Sequence, residues 1–422
     1  MMTDLVVFVL EGYNRYSIAA LAGILDQELP QLPVMFLQGR SDLRDQLEKL
    51  ARQHRRVVAA FSFMSPQLPQ LLPLLVDLRT RPLLENLTLV AGGPHASGEP
   101  AGTLRLGFDV LVLGEGEVTF PALLRRIFAG ESYHDLPGIA YLAGDGTLVR
   151  NRRGPWVDLN DYPPFSIKHN KLAAIEITRG CPWGCSFCQT TFFLGGRMRY
   201  RSVDQVVHWL KLAREQVDMR FARFISADCF NYGSADGRHP NLDEVEKLLR
   251  SVSGLMGREN TFFGSFPSEV RPESVSREAV ALVRKYAVND NIVIGAQSGS
   301  QRMLDAIHRG HTIEDVFQAA EIISGAGLKC LVDFIFGMPG ETPADRDLTL
   351  AAIRRLTKLG ATINSHFFYP LPGTPLAHSV AGEPDAETLR FLEQLTVQKL
   401  ETGRWKGRLK TVDAMQMLPL VG

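Results

Sequence analysis

Two runs of alternating strand and helix signals, separated by a hairpin and a Pro-rich connector, restrict this chain more than any other feature. Short apolar runs, each followed by Gly or Pro and then by helical spacing, specify parallel sheets covered by helices, because parallel strands need a crossover between them. The first run predicts strands at Leu5–Leu10, Leu32–Leu37, Arg56–Phe63, Leu87–Ala91 and Val110–Leu113. Helices are predicted at Tyr16–Leu29, Leu43–Gln53, Leu68–Arg79 and Val118–Phe128. This is a doubly wound α/β domain, placed at residues 1–130. Gly138–Arg150 has the pattern of a hairpin turning at Gly144-Asp145-Gly146, and Asn151–Phe165 that of a linker, so residues 131–172 form a connector. The second run predicts strands at Ala173–Thr178, Phe221–Ser226, Thr261–Phe266, Ile292–Ala296, Leu328–Phe336 and Thr362–Tyr369. That is too few to close an eight-stranded barrel, so residues 173–376 are expected to form an open (β/α)6 partial barrel. Residues 377–422 are expected to be a helical C-terminal region, with one helix at Asp385–Leu400.

Charge narrows the function. Lys+Arg and Asp+Glu both number 46. A chain that lives on nucleic acid or an anionic membrane shows a basic excess, so nucleic acid is not an expected partner. The basic residues Lys399, Arg404, Lys406, Arg408 and Lys410 have the pattern of a solvated face. The N-terminus lacks a basic leader and its apolar run fits a first strand. No apolar stretch reaches the ~20 residues of a spanning helix. A cytoplasmic protein with no membrane span is expected. The five Cys, at 181, 185, 188, 229 and 330, are an odd set with three of them crowded together. That suits a reducing compartment and a metal site better than a disulfide framework.

The crowded three lie in Gly180-Cys181-Pro182-Trp183-Gly184-Cys185-Ser186-Phe187-Cys188, just after a predicted strand. Thiolates are the usual ligands of iron–sulfur clusters. A 4Fe–4S cluster held by Cys181, Cys185 and Cys188 keeps one iron open for a chelating substrate or cofactor. Structural zinc is the competing reading, but it takes four ligands, commonly as two CxxC-like pairs. Cys229 and Cys330 are isolated in apolar surroundings and do not form a second pair.

The CxxxCxxC spacing with an aromatic residue before the last Cys resembles the radical S-adenosylmethionine (SAM) superfamily. The resemblance implies that the open iron binds SAM, that reductive cleavage yields a 5′-deoxyadenosyl radical, and that Phe187 packs on the adenine. It continues through Ile225-Ser226-Ala227-Asp228, Pro267-Ser268-Glu269-Val270-Arg271, Gly295-Ala296-Gln297-Ser298-Gly299-Ser300, Arg309-Gly310-His311-Thr312, Gly337-Met338-Pro339-Gly340-Glu341-Thr342 and Pro370-Leu371-Pro372-Gly373-Thr374-Pro375. Each block follows a predicted strand or its loop, where βα proteins assemble sites. The SAM contacts implied are Phe187, Asp228, Glu269, Arg271, Gln297, Ser298, Pro339 and Gly340. Gln189 sits where the cluster loop ends. Many relatives carry Glu where this chain has Gln297; Gln still hydrogen-bonds a ribose hydroxyl but brings no charge.

A doubly wound domain ahead of such a TIM-type barrel resembles the Rossmann-like cobalamin-binding domain of the class using both cofactors. The cobalamin contacts implied are Asn14, Ser62, Ser65, Gly92, Gly93, His95 and Glu115. Gly92 and Gly93 let backbone approach a bulky cofactor, and Ser62 and Ser65 leave room for its nucleotide tail. The family's Asp-x-His-x-x-Gly loop is absent: the loop after the first strand reads Glu11-Gly12-Tyr13-Asn14-Arg15-Tyr16, with no His for cobalt. His95 reads equally as a cofactor contact or as a turn residue. A dinucleotide fits poorly without Gly-x-Gly-x-x-Gly, and a domain that binds nothing is a further alternative.

The resemblance implies a methyltransferase acting on an unactivated carbon, with a rearrangement, cyclisation or oxidation as the alternative. A methylthiotransferase would need three more Cys for a second cluster, and residues 1–180 contain none. A non-catalytic cofactor-binding sensor or chaperone is the reading from outside enzymology. A small-molecule, lipid or peptide substrate is expected, with an external electron donor such as flavodoxin or ferredoxin. Tyr200, Cys229, Tyr232 and His366 are candidate proton or radical groups with no role assigned.

Overall fold

A computed structural model describes residues 2–80 and 82–416. Two compact units result, one up to Ala173 and one over Ala174–Ala414. No helix among the described residues is long and apolar enough to cross a membrane.

In the first unit the elements run β1 (Leu5–Leu10), α1 (Arg15–Glu28), β2 (Val34–Gln38), α2 (Leu43–Gln53), β3 (Val57–Ser62), α3 (Leu68–Leu78) and β4 (Leu87–Gly92). They continue with α4 (Pro94–Gly98), α5 (Pro100–Arg105), β5 (Val110–Val112), α6 (Gly116–Ala129), β6 (Ile139–Leu142) and β7 (Leu148–Arg150). The sheet order is β2-β1-β3-β4-β5-β6-β7. β1 to β5 pair in parallel, and the hairpin β6–β7 adds antiparallel at the β5 edge. Successive side chains of a strand point to opposite faces. Val7, Val9, Ala59 and Phe61 therefore enter one core with α2 and α3, while Val6, Phe8, Val58 and Ala60 enter another with α1 and α6. Burial on both faces explains why β3, Val-Val-Ala-Ala-Phe-Ser, shows no polar alternation. The order reverses between β1 and β3, which opens a crevice beyond their carboxyl ends. After β4 ends at Gly92, the chain turns directly into helix at Pro94. α4 and α5 each start on a Pro, a residue pre-set for the first helical position.

The second unit carries the two-residue strands β8 (Ile175–Glu176), β9 (Thr178–Arg179), β10 (Arg199–Tyr200) and β11 (Phe224–Ile225), then the longer β12 (Asn291–Gln297), β13 (Lys329–Phe336) and β14 (Thr362–Phe367). Its helices are α7 (Gln189–Leu194), α8 (Val203–Val217), α9 (Leu242–Met256), α10 (Arg277–Tyr286), α11 (Gln301–Ala306), α12 (Ile313–Gly325), α13 (Pro343–Lys358), α14 (Ala386–Val397) and α15 (Trp405–Gln416). β8 pairs with β11, and β12, β13 and β14 pair in series, all parallel. The segment expected as a strand at Thr261–Phe266 makes no continuous ladder. It joins its neighbours through the parallel bridges Ala222↔Thr261, Ser226↔Ser268 and Val270↔Ile294. Gly264 and Pro267 interrupt it, since Gly weakens a strand and Pro cannot donate to a ladder. Six strand positions thus follow in chain order.

The free edge of β14 is covered by the tail. The Ile363 N–H donates to the Leu400 carbonyl at 2.8 Å, and the Thr402 N–H donates back to Ile363 at 3.0 Å. α15 corrects the expectation of a purely solvated basic run. Arg408 is half-buried and donates to Asn364 Oδ1 at 2.8 Å and to the Ser365 carbonyl at 2.7 Å. Covering an edge strand blunts its tendency to pair with other chains, and a guanidinium reaches carbonyls that a shorter side chain would leave unpaired.

Candidate functional site

The cysteine loop begins where β9 ends. Gly180 has φ +91°, and a Cβ there would collide with the Arg197 carbonyl, so the turn into Cys181 requires glycine. The loop closes on itself. The Cys181 N–H donates to Gly195 O at 3.0 Å, the Cys188 N–H to Cys185 O at 3.0 Å, and Thr191 Oγ1 to Cys181 O at 2.8 Å. Cys185 is buried and Cys181 and Cys188 are half-buried. Burial pushes the Cys181 thiol up, with the neighbouring cysteines adding to it, while a hydrogen bond from the Trp183 backbone and the charge of Arg271 pull it down.

No three His, Cys, Asp or Glu side chains among the described residues are grouped to hold a single metal ion. Three thiols on one loop fall one short of the four protein ligands of structural zinc. They suit a cluster in which each thiolate takes its own iron. The donor set therefore fits the expected 4Fe–4S group.

Most of the expected SAM contacts lie at or just after strand ends, and several already have partners. Asp228 is buried; its carboxylate accepts from Asn231 Nδ2 at 2.8 Å and from Ser274 Oγ at 2.6 Å. Burial raises it to about 6, against the pull of Ser274. Burial, with Asp333 adding, raises Glu269 to about 7. Gln297 closes β12 at φ +71°, with its amide folded against Gly295. Ser298 Oγ accepts from the Ser300 N–H at 3.1 Å and so shapes the turn. Pro339 lies in the turn after β13, and a Cβ at Gly340 would meet open space. Phe187 is half-buried in the loop, and Gln189 Nε2 donates to Pro372 O at 2.7 Å, joining the cluster loop to the turn after β14.

Sequence reasoning missed the packing behind the thiols. Arg271 and Arg309 both reach Cys185, Trp183 lies under Arg271, and His311 faces Glu273. The only signals were the Arg-x-Glu and Arg-Gly-His triplets, which carry no pairing information by themselves. Of the unassigned groups, the Tyr200 hydroxyl donates to Ser234 O and the Tyr232 hydroxyl to Arg201 O, and Cys229 is wholly buried. His366 Nε2 lies 3.1 Å from Asn364 Nδ2, and the Asn364 amide also donates to Asp333 Oδ1 at 2.6 Å.

In the first unit the expected residues gather at the carboxyl ends of β1, β3, β4 and β5. Gly93, at φ +93°, lets the α4 turn abut the β3 loop; a Cβ there would lie 2.8 Å from Phe63 O. Ser62 Oγ accepts from Ser17 Oγ at 2.9 Å, and Gly92 ends β4. Ser65 Oγ and His95 Nδ1 lie 2.8 Å apart, and both residues are buried. Burial lowers His95 to about 4, so it is neutral at physiological pH. Asn14 and Glu115 serve the loops. Asn14 Nδ2 donates to Val9 O and its Oδ1 accepts from the Glu11 N–H, each at 2.9 Å, while Glu115 accepts from the Val157 N–H at 3.1 Å. A Cβ added at Gly12 or at Gly114 would meet nothing within 4 Å. Open glycine turns beside small hydroxyls fit a bulky corrinoid, with no imidazole offered by the first loop.

Comparison with known proteins bears on the two units as domains. Residues 175–366 match the radical SAM superfamily and residues 13–124 match the B12 binding domain. An uncharacterised methyltransferase of Pyrococcus horikoshii is 26% identical over 306 residues, 69% of this chain and 62% of that one. A protein of Methanocaldococcus jannaschii with a provisional methylthiotransferase name is 30% identical over 298 residues, 68% of this chain and 61% of its own. The chain thus spans about three fifths of the length of these curated relatives. The fold is similar to that of TsrM, a radical SAM methyltransferase from Kitasatospora setae solved with cobalamin and a [4Fe–4S] cluster. The TM-score is 0.68 at 18% identity, covering 89% of this chain and 74% of that one. With a B12 binding domain ahead of a radical SAM domain, the chain belongs to the cobalamin-binding group of the radical SAM superfamily.

Proposed function

We propose that this protein is a cobalamin-dependent radical SAM enzyme that transfers a methyl group to an unactivated carbon of a small-molecule, lipid or peptide substrate. The observation that carries the reading is the cysteine loop, whose three thiols follow a strand end and lie close enough to influence one another. It is supported by the glycine- and serine-lined strand ends of a B12 binding domain in the same chain. When bound, the cluster with SAM supplies a 5′-deoxyadenosyl radical and cobalamin supplies a transferable methyl group.

The residues present take defined parts. Cys181, Cys185 and Cys188 hold the cluster. Phe187, Asp228, Glu269, Arg271, Gln297, Ser298, Pro339 and Gly340 line the SAM side, where Gln297 offers amide hydrogen bonds. Ser62, Ser65, Gly92, Gly93 and His95, with Asn14 and Glu115 holding their loops, form the cobalamin side. His95 is neutral there and shares a proton with Ser65, so it orients and does not carry charge. An external flavodoxin or ferredoxin supplies the electron.

The test is anaerobic reconstitution of the full chain. Iron and sulfide content, corrinoid spectra, deoxyadenosine release and mass-shifted products are read together. Deoxyadenosine with a methylated product supports the reading. Methylthio transfer, favoured by the name of the M. jannaschii relative, would give a sulfur-bearing product instead. Deoxyadenosine without any transferred carbon would point to rearrangement, cyclisation or oxidation. Replacing the three cysteines by Ala should remove both iron and deoxyadenosine production.

A further inference from the structure

Two guanidiniums converge on Cys185. Arg271 Nη1 lies 3.9 Å from its Sγ and Arg309 Nη1 lies 3.6 Å away. Both arginines are buried, at 3% and 9% exposure. Arg271 is fixed from three sides. Its Nε pairs with Glu273, its Nη2 donates to the Arg309 carbonyl, and its flat face lies 3.9 Å above the centre of the Trp183 ring. Gly310, at φ +77°, leaves room for that ring, since a Cβ there would sit 2.5 Å from Trp183 Cζ3. His311 Nδ1 faces Glu273 Oε2 at 3.6 Å, and its Nε2 lies 3.3 Å from the Ala296 carbonyl. A carbonyl only accepts, so Nε2 carries the proton. Burial and the two nearby arginines push His311 far down, and the ring is neutral.

The patch packs charge of both signs away from solvent. Arg271 lies within electrostatic reach of two carboxylates, Glu273 and the buried Asp228, and Arg309 Nε has no hydrogen-bond partner. A buried charge is costly unless paired. What both guanidiniums reach is the Cys185 sulfur, and a thiolate-ligated cluster there is an anion that gains negative charge on reduction. Hydrogen bonds to sulfur and nearby positive charge favour the reduced form.

We propose that Arg271 is a positioning residue that donates to the Cys185 sulfur and raises the reduction potential of the cluster on this loop, with Glu273 tempering it. The role rests on the reading that the three thiols hold a 4Fe–4S cluster. It is separate from any part Arg271 plays in binding SAM, because it acts on the cluster before SAM arrives.

The experiment is a mediator-dye redox titration of the anaerobically reconstituted full chain, without SAM, followed by the electron paramagnetic resonance signal of the reduced cluster. Arg271→Met should shift the midpoint to more negative potential. Arg271→Lys, which keeps the charge and loses the fork, should recover part of the shift. Glu273→Gln, which removes the tempering charge and leaves Arg271 in place, should shift the midpoint to more positive potential. An Arg271→Met protein with wild-type iron content and an unmoved midpoint overturns the role. So does a Glu273→Gln protein that is unmoved or moves to negative potential, and this sign decides the matter if Arg271→Met does not fold. A wild-type chain that assembles no cubane signal would overturn the cluster reading itself, and that failure is visible before any midpoint is measured.

Discussion

The two units reach cofactor chemistry by opposite means. In the first, β1, β3 and β4 are apolar on both faces, and the site end is shaped by backbone: Gly93 against Phe63, open turns at Gly12 and Gly114, and the neutral pair Ser65–His95. In the second, β13 and β14 alternate buried with half-buried residues, and the half-buried set includes Asp333, Asn364 and His366. Charge is packed there at depth: Arg271 and Arg309 at Cys185, with Asp228 and Glu269 raised by burial to about 6 and 7. The difference teaches that a site made of backbone is sensitive to added volume, whereas a site made of buried charge is sensitive to changed protonation or sign.

The largest expected effect lies in the second unit. Cys185→Ala should lose nearly all bound iron, measured on the reconstituted chain, while corrinoid binding persists. Loss of both would break the separation of the two sites. Next comes volume. Gly93→Ala meets both positive φ and the Phe63 backbone, and should destabilise the first unit by about 2–4 kcal/mol. Gly340→Ala in the second has positive φ but open space, and should cost only about 1–2 kcal/mol. Hydrogen exchange on peptides from β3 and β13 reports each unit separately, and equal losses would contradict the comparison.

Protonation should set His95 and Glu269 apart in sign. The folded His95 titrates at about 4, below the 6.5 of an exposed histidine. The unfolded chain therefore binds more protons between these values, and the first unit loses stability as pH falls through them, by up to about 3 kcal/mol. Folded Glu269 titrates at about 7, above its usual 4.5. There the folded state binds more protons, so the second unit loses stability as pH rises from 4.5 to 7. His95→Asn and Glu269→Gln should each flatten the slope of their own unit in pH-dependent exchange of the apo-protein. Substitutions that change the two slopes in the same direction would refute the contrast. The smallest effect is Ser65→Ala, which removes one buried hydrogen bond and should cost about 1 kcal/mol in the first unit, read by the same exchange.

Much of this organisation was legible in the residues. β1 and α2 have the predicted bounds, because an unbroken apolar run and a charged amphipathic stretch each admit one periodicity. The thiol loop was legible because ligand spacing within a few residues is local information. α15 was not, since its basic residues look solvated until Arg408 is seen to meet Asn364 across 44 positions. The strand at Thr261 was overread, because apolar composition does not show where Gly264 and Pro267 break a ladder.

The sequence by itself determined the order of two α/β units, the loop carrying Cys181, Cys185 and Cys188, and the absence of a histidine after the first strand. These are matters of local pattern and spacing. Only the tertiary structure decided that Arg271 and Arg309 serve Cys185, that Gly310 makes room for Trp183, and that His95 is a buried neutral partner of Ser65. Each depends on segments from 30 positions apart (Ser65 and His95) to 127 apart (Trp183 and Gly310) being brought within hydrogen-bond or contact range. No short-range periodicity encodes such pairings, and burial, which sets their charge, exists only once the chain is folded.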